Sequence, residues 1–111
     1  MKNYTVRYKM KNSKFFRFDD EDIPTKGDIL TSSDYVTLGQ IKAKNLEDAF
    51  YILNMEHPEN IINSIRKLAE KDPFHTKYES LHSSMSVNDV LIDNETNAYY
   101  FCDSFGWKEL I

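Results

Sequence analysis

The sequence holds one cysteine, Cys102, so no disulfide can form within it, and the cysteine framework of a small secreted domain is excluded. Glycine and proline number three each, too few for a linker-like or low-complexity chain. No apolar run approaches the roughly 20 residues of a membrane-spanning helix, and the first residues lack the apolar core of a signal peptide. The three histidines, His57, His75 and His82, have no paired ligand spacing, so no metal site is expected. No group of residues has the spacing that a known reaction requires, so neither a catalytic set nor a cofactor is expected. Together these absences predict a cytoplasmic protein that works away from the membrane.

What is present is ordinary for a folded domain: 111 residues, 41% hydrophobic, 29% charged and 14% aromatic. One domain spanning residues 1–111 is expected, large enough to bury a core without staples. The net charge of −4 hides a segregation. Lys2, Arg7, Lys9, Lys11, Lys14 and Arg17 come before any acid, then Asp19, Asp20, Glu21 and Asp22 follow at once, with Asp28 and Asp34 beyond. An acidic balance argues against a general nucleic-acid binder while leaving room for a local basic patch.

Along the chain, Tyr4, Val6, Tyr8 and Met10 alternate with Thr5, Arg7, Lys9 and Lys11, the period of a strand with one buried face and one cationic face in water. Residues 11–14 read as a turn and residues 15–18 as the returning strand. Residues 19–33 read as a long surface loop. Residues 35–41 form a third strand, where Gly39 suggests a bulge. Asn45 and Asp48 have the spacing of a capping box ahead of Leu46, Ala49, Phe50 and Leu53, an amphipathic stripe. Pro58 suits the first turn of a second helix with Ile61, Ile62, Ile65, Leu68 and Ala69 as its apolar face. Residues 87–93 and 98–102 flank a cluster of turn formers and read as a hairpin, with Trp107, Leu110 and Ile111 returning as a further short strand. The expected fold is α+β: a largely antiparallel sheet of five or six strands with two helices, at about 46–54 and 58–71, on one face.

The segment His82-Ser-Ser-Met-Ser-Val-Asn-Asp-Val-Leu-Ile, followed by Ala98-Tyr-Tyr-Phe-Cys-Asp-Ser-Phe-Gly-Trp-Lys-Glu-Leu, resembles the YodL-like family of small bacterial and mobile-element proteins. In that family a His-Ser-Leu/Met-Ser-Val-x-Asp-Val segment precedes a hairpin ending in Tyr-Tyr-x-Asp-Ser-x-Gly-Phe. This chain departs from the pattern at Trp107, at an extra serine after His82, and through a longer insertion at 63–80. The resemblance implies an accessory protein of a phage or conjugative element, and so element-versus-host biology, including inhibition of host defence.

Several clusters are candidates for function. The acidic residues Asp19, Asp20, Glu21, Asp22, Asp28 and Asp34 can mimic phosphates toward a basic groove on a host or element protein, or simply be a solvated loop. Tyr99, Tyr100 and Trp107 offer aromatic area to a partner. Because Tyr99 and Phe101 alternate with Tyr100 and Cys102, one set faces the core, unless a sheet covered on both sides buries both. His82, Ser84, Ser86 and Asp89 form a polar cluster that serves either as a ligand turn or to satisfy backbone groups locally. Arg7, Lys9, Lys11 and Arg17 are the phosphate contacts if nucleic acid is the partner instead. Cys102, His82 and Asp103 supply the residue types of a thiol triad, but a cysteine between aromatics in a strand is usually a buried, inert thiol. The leading expectation is a non-enzymatic protein-interaction module that antagonises a host protein, ahead of a nucleic-acid-binding accessory protein and of a small ligand-binding domain.

Overall fold

Strand β1 (Lys2–Lys9) shows why the alternation matters, because Tyr4, Val6 and Tyr8 are all buried on one side of it. In the computed structural model, which describes residues 1–10, 24–31, 35–72, 84–103 and 106–111, this strand lies between two partners in an antiparallel sheet. The others are β2 (Tyr35–Ala43), β3 (Val90–Asp93), β4 (Ala98–Asp103) and β5 (Gly106–Glu109), arranged β2-β1-β3-β4-β5. The C-terminal hairpin and its short third strand therefore form as the sequence reads. The returning strand read at 15–18 lies outside the described residues.

The bulge read at Gly39 is present. Val6 pairs with Gly39 and Arg7 with Thr37, so Leu38 is the extra residue and the register steps there. The step lets Leu38, Ile41 and Ala43 all reach the core beside Tyr4 and Val6. Gly39 has a φ of 140°, and a β-carbon on it would stand 3.4 Å from the Asn60 amide and 3.5 Å from Ile61. Only glycine meets both demands without strain.

On this face lie α2 (Leu46–Tyr51) and α3 (Glu59–Glu70), both packed on β2. Asn45 Oδ1 accepts from the Asp48 backbone N–H at 2.8 Å, and Asp48 Oδ2 accepts from Lys44 N–H at 2.9 Å, a capping box displaced by one residue. The chain does not break after Asn54. It widens into a π-helical turn, Ile52–Glu56, which ends at His57 in the left-handed region (φ 49°) before Pro58 opens α3. The wide turn leaves Leu53 buried while the Asn54 side chain accepts from Met85 N–H at 2.7 Å, tying the helices to the chain entering β3.

The opposite face corrects two expectations. Within the stretch read as surface loop, Lys26–Thr31 forms a helix, α1, whose Ile29 is fully buried against Tyr35, Val90, Ile92, Tyr99, Phe101 and Leu110. Thr25 and Asp28 cap it reciprocally, Asp28 Oδ2 accepting from Thr25 N–H and Thr25 Oγ1 from Asp28 N–H. Two adjacent apolar residues in six, Ile29 buried and Leu30 exposed, give too weak a periodicity to mark a helix. Arg7 consequently does not face water: its guanidinium donates to Thr37 Oγ1, to the Ile29 carbonyl and to the Tyr35 carbonyl, and burial lowers its pKa. The sheet is thus covered on both sides. Among the described residues, no helix is long and apolar enough to cross a membrane.

Candidate functional site

The two helices on β2 cover the β2–β1 half of their face, and among the described residues the β4–β5 half is met by the margin of α2. By register, Tyr100 and Cys102 of β4 lie beside Glu109 and Trp107 of β5 on that side. Trp107 meets Phe50 of α2 nearly edge to face, with centroids 6.4 Å apart and planes at 83°. Phe50 was read as part of the buried stripe, yet it is 40% exposed, and Ala49 and Leu53 are the residues of this segment that are buried in the core. Its neighbours Tyr51 and Met55 are 55% and 65% exposed. The result is a groove with aromatic walls.

Two adjoining pockets make up this groove, sharing Glu47 and Trp107. The first, about 300 Å³, is lined by Lys2, Tyr4, Asn45, Leu46, Asp93 and Tyr100 in addition. There Lys2 Nζ donates to Asp93 Oδ2 at 2.7 Å, and Asp93 Oδ1 accepts from Glu95 N–H. Lys2 holds the Asp93 carboxyl below its ordinary value, and Asp93 in turn raises Lys2. The second pocket, about 280 Å³, is lined by Glu47, Phe50, Cys102, Asp103, Gly106 and Trp107. Gly106 has a φ of 136° and, among the described residues, nothing within 4 Å of where a side chain would begin. Burial, with the Asp89 and Asp103 charges adding, pushes the Cys102 thiol up to about 11, which makes a thiolate nucleophile unfavourable.

The polar cluster before β3 is built inward. Asp89 is 5% exposed and its two oxygens accept from Lys9 N–H at 2.8 Å and Ser86 N–H at 2.7 Å. Asn88, in the left-handed region, donates its N–H to the Cys102 carbonyl, and its own carbonyl accepts from the buried Tyr35 hydroxyl at 2.7 Å. Burial pushes the Asp89 carboxyl up to about 7 against the pull of the two N–H groups. This is the local satisfaction of backbone groups that Ser and Asp commonly provide, with Ser84 half-buried and Ser86 exposed beside it.

The remaining predicted residues divide as follows. Tyr99 is buried under α1, where Lys26 Nζ lies 5.1 Å from its ring centre, whereas Tyr100 and Trp107 line the groove. Asp28 is exposed and occupied in capping α1. Asp19, Asp20, Glu21, Asp22, Asp34, His82, Lys11 and Arg17 lie outside the described residues, and Lys9 lies on the α1 side of β1. Glu47 and Phe50 were not read as site residues. Their only signal was their position in the first turns of α2, which says nothing of the strand they overhang. The chain matches no family model, no curated protein and no solved structure.

Proposed function

We propose that the protein is a non-enzymatic interaction module and that the groove between α2 and β4–β5 is where it takes its protein partner. The observation that carries this is Phe50, large and exposed, set edge to face against Trp107 in a groove that Tyr100 also lines. Single exposed apolar residues are common on proteins, but an exposed phenylalanine packed on a tryptophan at the wall of a groove is the anatomy of a recognition surface. The likeness of the C-terminal hairpin to mobile-element proteins extends the reading to an element-encoded antagonist of a host protein.

Arg7, the central residue of the nucleic-acid alternative, directs its guanidinium at three acceptors of its own chain, so no second reading is advanced. The test is affinity capture from nuclease-treated bacterial lysate with wild-type protein and Phe50→Asp in parallel, folding being checked by circular dichroism. A partner held by wild type and lost from a folded Phe50→Asp supports the module. Equal capture by both moves the interface off the groove, and recovery of nucleic acid alone in untreated lysate removes the reading.

A further inference from the structure

We infer a small-molecule site in the first pocket: it takes a single neutral sugar ring, held by its hydroxyls and rested on Trp107. This goes beyond the interaction module, and neither depends on the other. Behind it stands a hydroxyl that the fold leaves over. Tyr4 is 2% exposed and lines this pocket, yet among the described residues nothing hydrogen-bonds its hydroxyl. Burial raises the pKa of that hydroxyl, Asp93 adds to the rise and Lys2 opposes it, so it stands among the pocket's own groups. A buried hydroxyl without a partner costs free energy, and a ligand that pairs with it removes that cost.

The groups around Tyr4 select the ligand's chemistry. Tyr4, Tyr100, Lys2 and Asp93 come from the sheet, whereas Asn45 and Glu47 come from the start of α2 on the same face. Lys2 and Asp93 neutralise one another, which leaves Glu47 as the net charge among the lining residues, exposed where water screens it. Charge therefore gives little hold on an ion, and hydrogen bonding decides. The Asn45 side-chain oxygen is taken by the Asp48 N–H, so its amide nitrogen is what it can offer. Lys2 Nζ donates to Asp93 and keeps donors to spare, the Glu47 carboxylate only accepts, and the two tyrosine hydroxyls do both. Sugar hydroxyls each donate and accept, so a ring of them answers all of these groups while its apolar C–H face lies on an aromatic side chain. A nucleobase carries a fixed set of donors and acceptors along only part of its edge. At about 300 Å³ the pocket is at the small end of ligand sites, with room for one ring and not for a chain of them.

Trp107 is the sole tryptophan, so its indole N–H resonance reports on this wall of the pocket. Methyl glycosides of glucose, galactose, mannose and N-acetylglucosamine are titrated to tens of millimolar against the full chain, beside cyclohexanol, adenosine and uridine. At least one glycoside is expected to shift the resonance with saturation, and to bind more tightly than cyclohexanol or either nucleoside. Tyr4→Phe is expected to weaken that glycoside by about tenfold, and Glu47→Gln by about threefold. Because no described residue bonds the Tyr4 hydroxyl, Tyr4→Phe should keep the urea midpoint of the wild type. A fall in midpoint together with the loss of binding would give the hydroxyl a structural role and overturn the assignment. Absence of any saturable glycoside shift overturns the site, as does glycoside binding that Tyr4→Phe leaves intact. Equal or tighter binding of cyclohexanol overturns recognition by hydroxyls, and tighter binding of a nucleoside overturns the sugar in favour of a base. Partner capture through Phe50 stands or falls separately in every case.

Discussion

Asp89 and Asp93 flank the same short strand, and both carboxylates are nearly sealed from solvent, at 5% and 2% exposure. Their titrations diverge. Asp89 has two backbone N–H groups as partners and its pKa rises to about 7, whereas Asp93 has the Lys2 ammonium and its pKa falls. Neutral donors hold a carboxylate in place without offsetting the loss of its hydration, and a full positive charge offsets that loss. The same residue type thus serves two purposes. At one end it knots three strands together, and at the other it forms the floor of a groove while neutralising a lysine there.

The largest effect is expected from Asp89→Ala. It strands the Lys9 and Ser86 N–H groups, at about 1–3 kcal/mol each, and loosens the junction of β1 with the turn before β3. Urea denaturation should show a loss of about 2–5 kcal/mol at pH 5. The loss should shrink at pH 8, because the variant also removes a buried charge; a loss that grows with pH contradicts the assignment. The Asp93 end, including the Trp107 indole resonance, should stay native-like in the folded variant before the transition begins.

The pH dependence of the wild type sharpens the contrast. A carboxyl whose folded pKa lies above its unfolded value, about 7 against 3.8, binds its proton more tightly when folded. Its contribution to stability is full below the unfolded value and is lost as pH rises toward 7, by up to about 4 kcal/mol at roughly 1.4 kcal/mol per pH unit. Asp93 works the other way, contributing above its unfolded pKa and losing that contribution as pH falls through its lower folded value. Stability should therefore peak near pH 4, decline between about pH 4 and 7 and level off above, and Asp89→Asn should flatten the decline. A wild-type profile flat from pH 5 to 8 would show that Asp89 is hydrated in solution.

Tyr35→Phe isolates one thread of the Asp89 knot. It removes the buried hydroxyl that donates to the Asn88 carbonyl, at a cost of about 1–2 kcal/mol. A shift in midpoint without a change in the slope against urea is expected. If Tyr35→Phe is neutral, the turn is held by Asp89 and Cys102 alone.

How far these arrangements were legible in the sequence depends on the range of the interaction. Strand β1, the capping box at Asn45, the bulge at Gly39 and the C-terminal hairpin were readable because period, cap spacing and turn chemistry are local. Asp89 was readable as a turn maker, not as a clamp on β1, because Lys9 is 80 positions away in the chain. Helix α1 was hidden by its shortness and by the acids before it. The groove was hidden for another reason: Phe50 fits the apolar stripe of α2 as well as Leu53 does, and only the sheet's width decides which of them is covered. The alternation of Tyr99 and Tyr100 was visible, but the covering of both faces depended on α1.

The smallest effect in this set should be that of Lys2→Met, and it bears most directly on the groove. Lys2 is 40% exposed, so solvent screens much of its attraction to Asp93, and the loss in stability at neutral pH should be slight. Its signature lies in titration. With the ammonium gone, burial is left to act on Asp93 against the Glu95 N–H, so the carboxyl should titrate at higher pH than in the wild type, read from its carbon-13 resonance. Asp89, on the far end of β3, should titrate near 7 in both proteins. An unmoved Asp93 would mean that the 2.7 Å pair does not persist in solution, and the groove would then carry a mobile positive charge at the end where we have placed a neutralised one.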